Sequence, residues 1–202
     1  MITIIDYGEG NLGSVEKALL HVGSEARVSS SPGDLLDADG VVLPGVGAFD
    51  DCIKGLRQRE LEGPIKEVIA AGKPFLGICL GMQLLFASSE EGQLPGLGVL
   101  PGRVVRFGHE LKIPQIGWNQ IVKKAPAPHL EGVEDGAWVY FVHSFYAVPD
   151  DAGIIATTTD YGLDFCSAVW QGNVFATQFH PEKSQTVGLT ILDNFRKIAE
   201  GA

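Results

Sequence analysis

The chain has 202 residues, a hydrophobic fraction of 45% and a formal net charge of −10. That length and hydrophobic content suit one α/β domain with a sizeable core and exclude a disordered chain. The net negative charge argues against a nucleic-acid surface, because phosphate recognition needs clustered Lys and Arg. No apolar run approaches the ~20 residues of a membrane span, and the first residues lack the basic segment of a signal peptide. We therefore expect a cytoplasmic protein with no membrane or nucleic-acid partner.

The N-terminal half alternates predicted strands and helices. Continuous apolar runs predict strands, and periodic apolar positions predict helices. The strands are expected at 2–5, 25–29, 40–44 and 74–78, and the helices at 11–22, 50–58, 64–71 and 82–87. This alternation predicts a mainly parallel, doubly wound α/β sheet with helices on both faces.

The C-terminal half has a different pattern, in which short strand candidates are separated by Gly and Pro. These candidates lie at 102–107, 119–122, 140–143, 154–159, 168–170 and 174–179, and a final helix is expected at 186–199. We interpret them as antiparallel strands added to the sheet. Because no low-complexity linker or internal repeat interrupts the chain, residues 1–202 are predicted to form one domain.

Cys79 stands in the segment Gly-Ile-Cys-Leu-Gly-Met-Gln, between an apolar run and a predicted helix. This pattern is typical of a nucleophile elbow with Cys in place of Ser. The tight turn holds the nucleophile in a strained conformation, and the flanking glycines let neighbouring chain pass close by. The following helix favours a thiolate, and the N–H of Leu80 is a candidate oxyanion donor.

A candidate base appears a hundred residues later, where a predicted strand ends at His180 and is followed by Pro181 and Glu182. An imidazole beside a thiol can take its proton, and a neighbouring carboxylate fixes the tautomer of the imidazole. A buried Cys or a His-Pro-Glu turn is unremarkable by itself. Both together, each at the end of an apolar strand, predict a catalytic triad of Cys79, His180 and Glu182.

The other two cysteines, Cys52 and Cys166, lie in apolar surroundings and are predicted to be core residues. The three cysteines have neither metal-ligand spacing nor a disulfide framework, so no metal is expected. Residues 8–13 fit the dinucleotide pattern G-x-G-x-x-G after a strand. The acidic residue that should follow about 20 positions later is replaced by Val-Ser-Ser-Ser at 28–31, so a nucleotide is the weaker alternative and no cofactor is expected.

The segments 77–83 and 179–182 resemble the two signatures of the class I (triad) glutamine amidotransferases. Four further segments, 5–15, 43–49, 113–119 and 140–146, resemble the glutaminase subunits of imidazole glycerol phosphate synthase. Other triad amidotransferases usually carry Pro-Gly-Pro-Gly where this chain has Pro-Gly-Val-Gly at 44–47. One departure from the family is Phe145, where tyrosine is common.

The resemblance implies an enzyme that hydrolyses L-glutamine to glutamate and ammonia through a Cys79 thioester. It also implies a heterodimer with a cyclase subunit, a (β/α)₈ barrel, which receives the ammonia. That subunit forms imidazole glycerol phosphate and aminoimidazole carboxamide ribotide in L-histidine biosynthesis.

The resemblance also assigns roles to individual residues. The N–H of Val46 is implied as the second oxyanion donor. Gly47, Gln83, Ser144 and Phe145 are implied as substrate contacts, and Asn11, Trp118, Tyr140 and Lys183 as the partner interface. The alternatives are that Gln83 caps its own helix and that Trp118 and Tyr140 are core aromatics.

Three other functions stay open at this point. One is the glutaminase subunit of another amidotransferase, such as anthranilate or aminodeoxychorismate synthase. Another is a cysteine hydrolase on an α/β-hydrolase frame, although in that fold the acid precedes the histidine by a long stretch. The last is a flavodoxin-like binding module, which would turn over no glutamine.

Overall fold

The computed structural model describes residues 1–108 and 112–201. The strands are β1 (Ile2–Ile5), β2 (Ala26–Ser29), β3 (Gly40–Gly45), β4 (Phe75–Cys79), β5 (Phe86–Ser89), β6 (Leu100–Arg106), β7 (Gln115–Gln120), β8 (Val122–Lys123), β9 (Trp138–His143), β10 (Phe145–Pro149), β11 (Ile155–Asp160), β12 (Asp164–Gln171) and β13 (Val174–Thr177). The α-helices are α1 (Leu12–His21), α2 (Pro32–Leu36), α3 (Phe49–Gln58), α4 (Glu62–Ala70), α5 (Leu80–Leu84) and α6 (Gln185–Glu200).

The main sheet runs in the order β2-β1-β3-β4-β13-β12-β10-β6-β5. Its first five strands are parallel neighbours. From β13 onwards the pairing with β12, β10 and β6 is antiparallel. The predicted fold class, a mainly parallel sheet with added antiparallel strands, is confirmed.

Each face of the sheet has its own core, because alternate side chains of a strand point to opposite faces. Val41 and Leu43 of β3 pack on one face, in the cluster that contains the inner positions of α3 and α4. Val42 of the same strand packs on the other face, with the inner positions of α1 and α6. Helices therefore cover both sides of the parallel strands, as the alternating pattern predicts.

Strands β7 and β9 form a separate two-stranded antiparallel sheet. We call this β7–β9 pair the hairpin, although the short strand β8 lies between its two strands in the chain. Three large apolar side chains on it are exposed: Ile116, Trp118 and Trp138. In the described part of the chain, no helix is long and apolar enough to cross a membrane.

The structure corrects several predicted elements. The helix expected at 82–87 is instead α5, which ends at Leu84, and the next residues form β5. The strand expected to end at His180 stops at Thr177, because the Thr177 hydroxyl donates to the Phe179 carbonyl and the chain turns. Helix α2 and strand β10 were not predicted at all, since both are short and contain Pro.

Candidate active site

Cys79 occupies the predicted elbow between β4 and α5. Its backbone has φ 55° and ψ −109°, a conformation that residues other than glycine rarely adopt. A Cβ atom on Gly81 would lie 1.9 Å from the Leu43 carbonyl oxygen, and one on Gly45 would lie 2.7 Å from the Gly81 nitrogen. Both glycines are therefore required by the close packing of the elbow against the end of β3.

Three neighbouring parallel strands bring the predicted site together. Gly45 of β3 is the register partner of Cys79, and Thr177 of β13 is the partner of Ile78. The loop 44–47, the elbow and the segment 178–182 therefore meet at the carboxyl edge of the sheet. This is the edge at which open α/β sheets bind ligands.

His180 and Glu182 form a buried pair beside the elbow. His180 Nδ1 lies 2.8 Å from Glu182 Oε1, and the two side chains are 2% and 0% exposed. Among the described residues, the other ring nitrogen, Nε2, has no hydrogen-bond partner, so it can exchange a proton with the nucleophile or a leaving group. Burial lowers the pKa of His180, but interactions with Cys79 and Glu182 outweigh it and raise that pKa to about 10. The site therefore favours the protonated, imidazolium form of His180.

A cavity of about 340 Å³ opens in front of Cys79, a size within the usual range for small-molecule sites. Its lining includes every predicted catalytic or substrate residue except Glu182, which lies behind His180. These lining residues are Val46, Gly47, Cys79, Leu80, Gln83, Ser144, Phe145 and His180. The site residues predicted from the sequence therefore line one continuous cavity.

The cavity also contains residues that the sequence analysis missed, notably Glu91 and His143. Glu91 Oε2 accepts a hydrogen bond from the Phe49 N–H at 3.1 Å. Burial raises the pKa of Glu91 and lowers that of His143 to about 4, so His143 is neutral. The acidic pair Glu90-Glu91 shortly after the elbow was the available signal for Glu91, whereas only its position inside the resembling segment 140–146 pointed to His143.

Gln83 does not cap its own helix. Its Nε2 donates to the Phe145 carbonyl at 3.1 Å and to Gln178 Oε1 at 2.9 Å. Its Oε1 is buried and has no hydrogen-bond partner among the described residues. Because Gln83 lines the cavity, this oxygen is an acceptor placed for a ligand.

The loop that carries Val46 is held at two carbonyl groups. The Tyr7 hydroxyl donates to the Pro44 carbonyl at 2.8 Å, and the Cys52 thiol donates to the Val46 carbonyl at 3.5 Å. The Gly45–Val46 peptide, which contains the predicted oxyanion donor, lies between these two contacts. Cys52 and Cys166 are 0% and 4% exposed, which confirms that both are core residues.

Three of the four predicted interface residues cluster on one surface. Trp118 is 43% exposed and packs edge-on against Tyr140, with ring centroids 6.1 Å apart. Lys183 Nζ lies 5.9 Å from the centre of the Tyr140 ring. Trp118 is therefore not a core aromatic. Asn11 lies beside the segment that carries Lys183, since its Nδ2 donates to Oε1 of the preceding residue, Glu182, at 3.4 Å.

The comparisons with known proteins agree with this geometry. A family model for glutamine amidotransferase class-I matches residues 3–198. The imidazole glycerol phosphate synthase subunit HisH of Geobacter metallireducens is 57% identical over 202 residues, which cover 96% of each chain. The HisH subunit of Syntrophotalea carbinolica is 56% identical over 203 residues, covering 96% of this chain and 98% of its own. The crystal structure of a glutamine amidotransferase superposes with a TM-score of 0.78 at 22% identity, covering 99% of this chain and 100% of the other, and supports the fold.

The elbow, the buried His–Glu pair and the family match define a class of enzyme: the chain belongs to the class-I glutamine amidotransferases. Identities above one half over nearly the whole length place it, within that class, among the HisH subunits of imidazole glycerol phosphate synthase. The family resemblance found in the sequence motifs is therefore confirmed.

Proposed function

We propose that this chain is the glutamine-hydrolysing subunit of an imidazole glycerol phosphate synthase, with Cys79, His180 and Glu182 as its catalytic residues. The observation that carries the proposal is the cavity in which Cys79 and His180 meet, with Glu182 bonded to the far side of the imidazole. Relatives more than half identical over nearly the full length carry the name of this synthase subunit. The alternative, a subunit of anthranilate or aminodeoxychorismate synthase, is not favoured.

The reaction follows from the positions of these groups. The Cys79 sulfur attacks the side-chain amide carbon of glutamine and forms a tetrahedral oxyanion, which receives hydrogen bonds from the N–H groups of Leu80 and Val46. His180 gives a proton to the departing ammonia and leaves a glutamyl thioester. His180 then takes a proton from water, which attacks the thioester and releases glutamate. Glu182 keeps the imidazole in the required tautomer throughout.

The amino-acid end of glutamine is held by the remaining cavity residues. The unpaired Oε1 of Gln83 and the carboxylate of Glu91 supply acceptors for the substrate ammonium group. Gly47, Ser144 and Phe145 contact the rest of the substrate. Phe145 takes part in the site through its carbonyl group, which binds Gln83, so the tyrosine hydroxyl common in the family is not needed for this contact.

The ammonia passes to a cyclase subunit, a (β/α)₈ barrel that forms a heterodimer with this chain. There it is used to form imidazole glycerol phosphate and aminoimidazole carboxamide ribotide in histidine biosynthesis. Ammonia released into neutral water would be mostly protonated and not nucleophilic, so direct transfer between subunits is required. The exposed apolar hairpin with Trp118, Tyr140 and Lys183, together with Asn11, forms the docking surface for this partner.

The proposal is tested by separating the two nitrogen sources. Cys79→Ala should abolish synthesis from glutamine by the complex, while synthesis from ammonium salts should persist because the cyclase does not need the elbow. Cys166→Ala is the matched control, since Cys166 is buried outside the cavity, and it should keep both activities. Glutamine-dependent synthesis by a folded Cys79→Ala complex, or loss of both activities in it, would overturn the proposed division of labour.

A further inference from the structure

Gln178 is a fully buried amide directly beside the nucleophile, and the catalytic triad does not account for it. Gln178 is 0% exposed, and its backbone N–H donates to the Ser167 carbonyl at 2.8 Å. Its Nε2 lies 3.6 Å from Cys79 Sγ, within the range of an N–H···S hydrogen bond. Gln178 therefore contacts the atom that attacks the substrate.

The orientation of this amide is fixed by a group that can only accept. The Phe145 carbonyl faces Gln83 and must receive an N–H from it. The second N–H of the same Gln83 nitrogen then points to Gln178, which must present its oxygen there. It follows that the NH₂ group of Gln178, and not its oxygen, faces the sulfur of Cys79.

The surroundings of the sulfur make this donor consequential. The Val142 carbonyl lies 3.8 Å from Cys79 Sγ and accepts from the thiol, which favours the neutral form. A donated N–H favours the anionic form instead. Helix α5 has only five residues, so its dipole is weak. A side-chain donor therefore matters more for the charge on the sulfur here than it would at the end of a long helix.

We propose that Gln178 stabilises the Cys79 thiolate by donating a hydrogen bond to it, and that Gln83 holds the Gln178 amide in the donating orientation. This assignment rests on the proposed function, because it takes Cys79 as the nucleophile. Gln83 then has two roles: its Nε2 orients the Gln178 amide that activates the sulfur, and its Oε1 is an acceptor for the substrate.

The test is the pH profile of Cys79 alkylation by iodoacetamide in the full chain, with the modified site identified by mass spectrometry. Gln178→Met keeps the length of the side chain and removes the donor. Its alkylation midpoint should move up by about one pH unit, so that alkylation below the midpoint is about tenfold slower. Gln83→Met should shift the midpoint in the same direction by less, because the donor is still present but no longer oriented. Gln171→Met, at the exposed end of β12, is the control and should match the wild type.

The other titratable groups near this sulfur stay unchanged in every variant: Tyr7, Glu91, His143, His180 and Glu182. A wild-type profile in folded Gln178→Met would overturn the assignment. If that variant does not fold, a wild-type profile in Gln83→Met would overturn it. Failure of the proposed function would give a different result from failure of this assignment. Either the wild-type protein and its complex would not use glutamine at all, or the Cys79→Ala variant would still use it.

Discussion

The backbone N–H of His180 donates to the carbonyl of Tyr140 at 3.0 Å. Ser184 closes a small ring of hydrogen bonds around this contact, since its hydroxyl oxygen accepts from the Tyr140 N–H at 3.0 Å and its O–H donates to the His180 carbonyl at 2.6 Å. The segment that carries the catalytic base is therefore bonded directly to the hairpin that exposes Trp118. Displacement of this hairpin by a docked partner would be transmitted to His180.

Trp118→Ala should weaken binding of the cyclase subunit. A Trp at the centre of an interface commonly contributes 2 kcal/mol or more, so we expect the dissociation constant to rise about 30-fold. Titration calorimetry of the two subunits measures this directly. Leu20→Ala is the control, because Leu20 is also exposed but belongs to α1 and not to β7 or β9. Equal affinities for both variants would remove the hairpin from the interface.

Replacing members of the triad should give graded losses. His180→Ala should lower kcat for glutamine by about 10⁴-fold or more, whereas Glu182→Gln should cost at least about tenfold less, because orienting a base contributes less than being one. Glu182 is one of the groups that raise the pKa of His180, so that pKa should fall in Glu182→Gln. Steady-state kinetics over a range of pH measures both effects. A Glu182→Gln enzyme as inactive as one lacking Cys79 would contradict the assigned role.

A chloromethyl ketone analogue of glutamine should modify Cys79 and leave the other two cysteines intact. Burial raises the pKa of Cys52 to about 11 and that of Cys166 to about 12, so both remain thiols at neutral pH. Peptide mapping of the native protein after partial inactivation identifies the modified residue. Modification of Cys166 before Cys79 would show that the cavity does not activate the elbow cysteine.

The stability of the fold should fall as the pH drops from 6.5 towards 4, partly because of His129. This residue is 2% exposed, stacks on Phe175 at 4.3 Å and has no hydrogen-bond partner for either ring nitrogen among the described residues. Burial lowers the pKa of His129 from 6.5 to about 4. The unfolded chain therefore binds a proton at higher pH than the folded one, so this contribution is fully present above pH 6.5 and is lost below it.

His129→Phe should therefore be less sensitive to acid than the wild type. Between pH 8 and pH 5 the wild type should lose about 2 kcal/mol of unfolding free energy through His129 alone. Urea unfolding at the two pH values measures the difference. Two other buried histidines remain in the variant: His143, whose pKa is lowered to about 4, and His180, whose pKa is raised to about 10 and whose effect on stability has the opposite sign over this range. The difference between the variant and the wild type therefore isolates the contribution of His129. An unchanged pH dependence of the unfolding free energy in His129→Phe would contradict the account.

Local patterns were sufficient to predict the parallel strands of the main sheet. Strand β1 matches its predicted bounds, and β3 differs by one residue, because both are short apolar runs bounded by turn residues. Strand β10 was missed, since its identity depends on pairing with β6, some forty residues earlier in the chain, rather than on its own pattern. Antiparallel additions of this kind are fixed by partners that a local window does not contain.

The same distinction applies to the site. Cys79, His180 and Glu182 could be predicted because each stands in a short motif with its own chemical meaning. The contact between Gln178 and Cys79 could not, because the residues are 99 positions apart and Gln178 looked like one more residue of a strand. Its significance depends on a hydrogen-bond chain through Gln83 to a backbone carbonyl, which only the folded structure brings together.

Gly188, in the first turn of α6, gives the triad an unexpected dependence on a residue that does not line the cavity. A Cβ atom there would lie 1.8 Å from the carbonyl oxygen of Pro181, so the helix backbone presses directly on the turn between His180 and Glu182. Even alanine at this position would have to push that turn away from the elbow. A random-mutagenesis selection for histidine auxotrophs should therefore recover changes at position 188 alongside changes at the nucleophile, which makes this helix a genetic as well as a structural support of the active site.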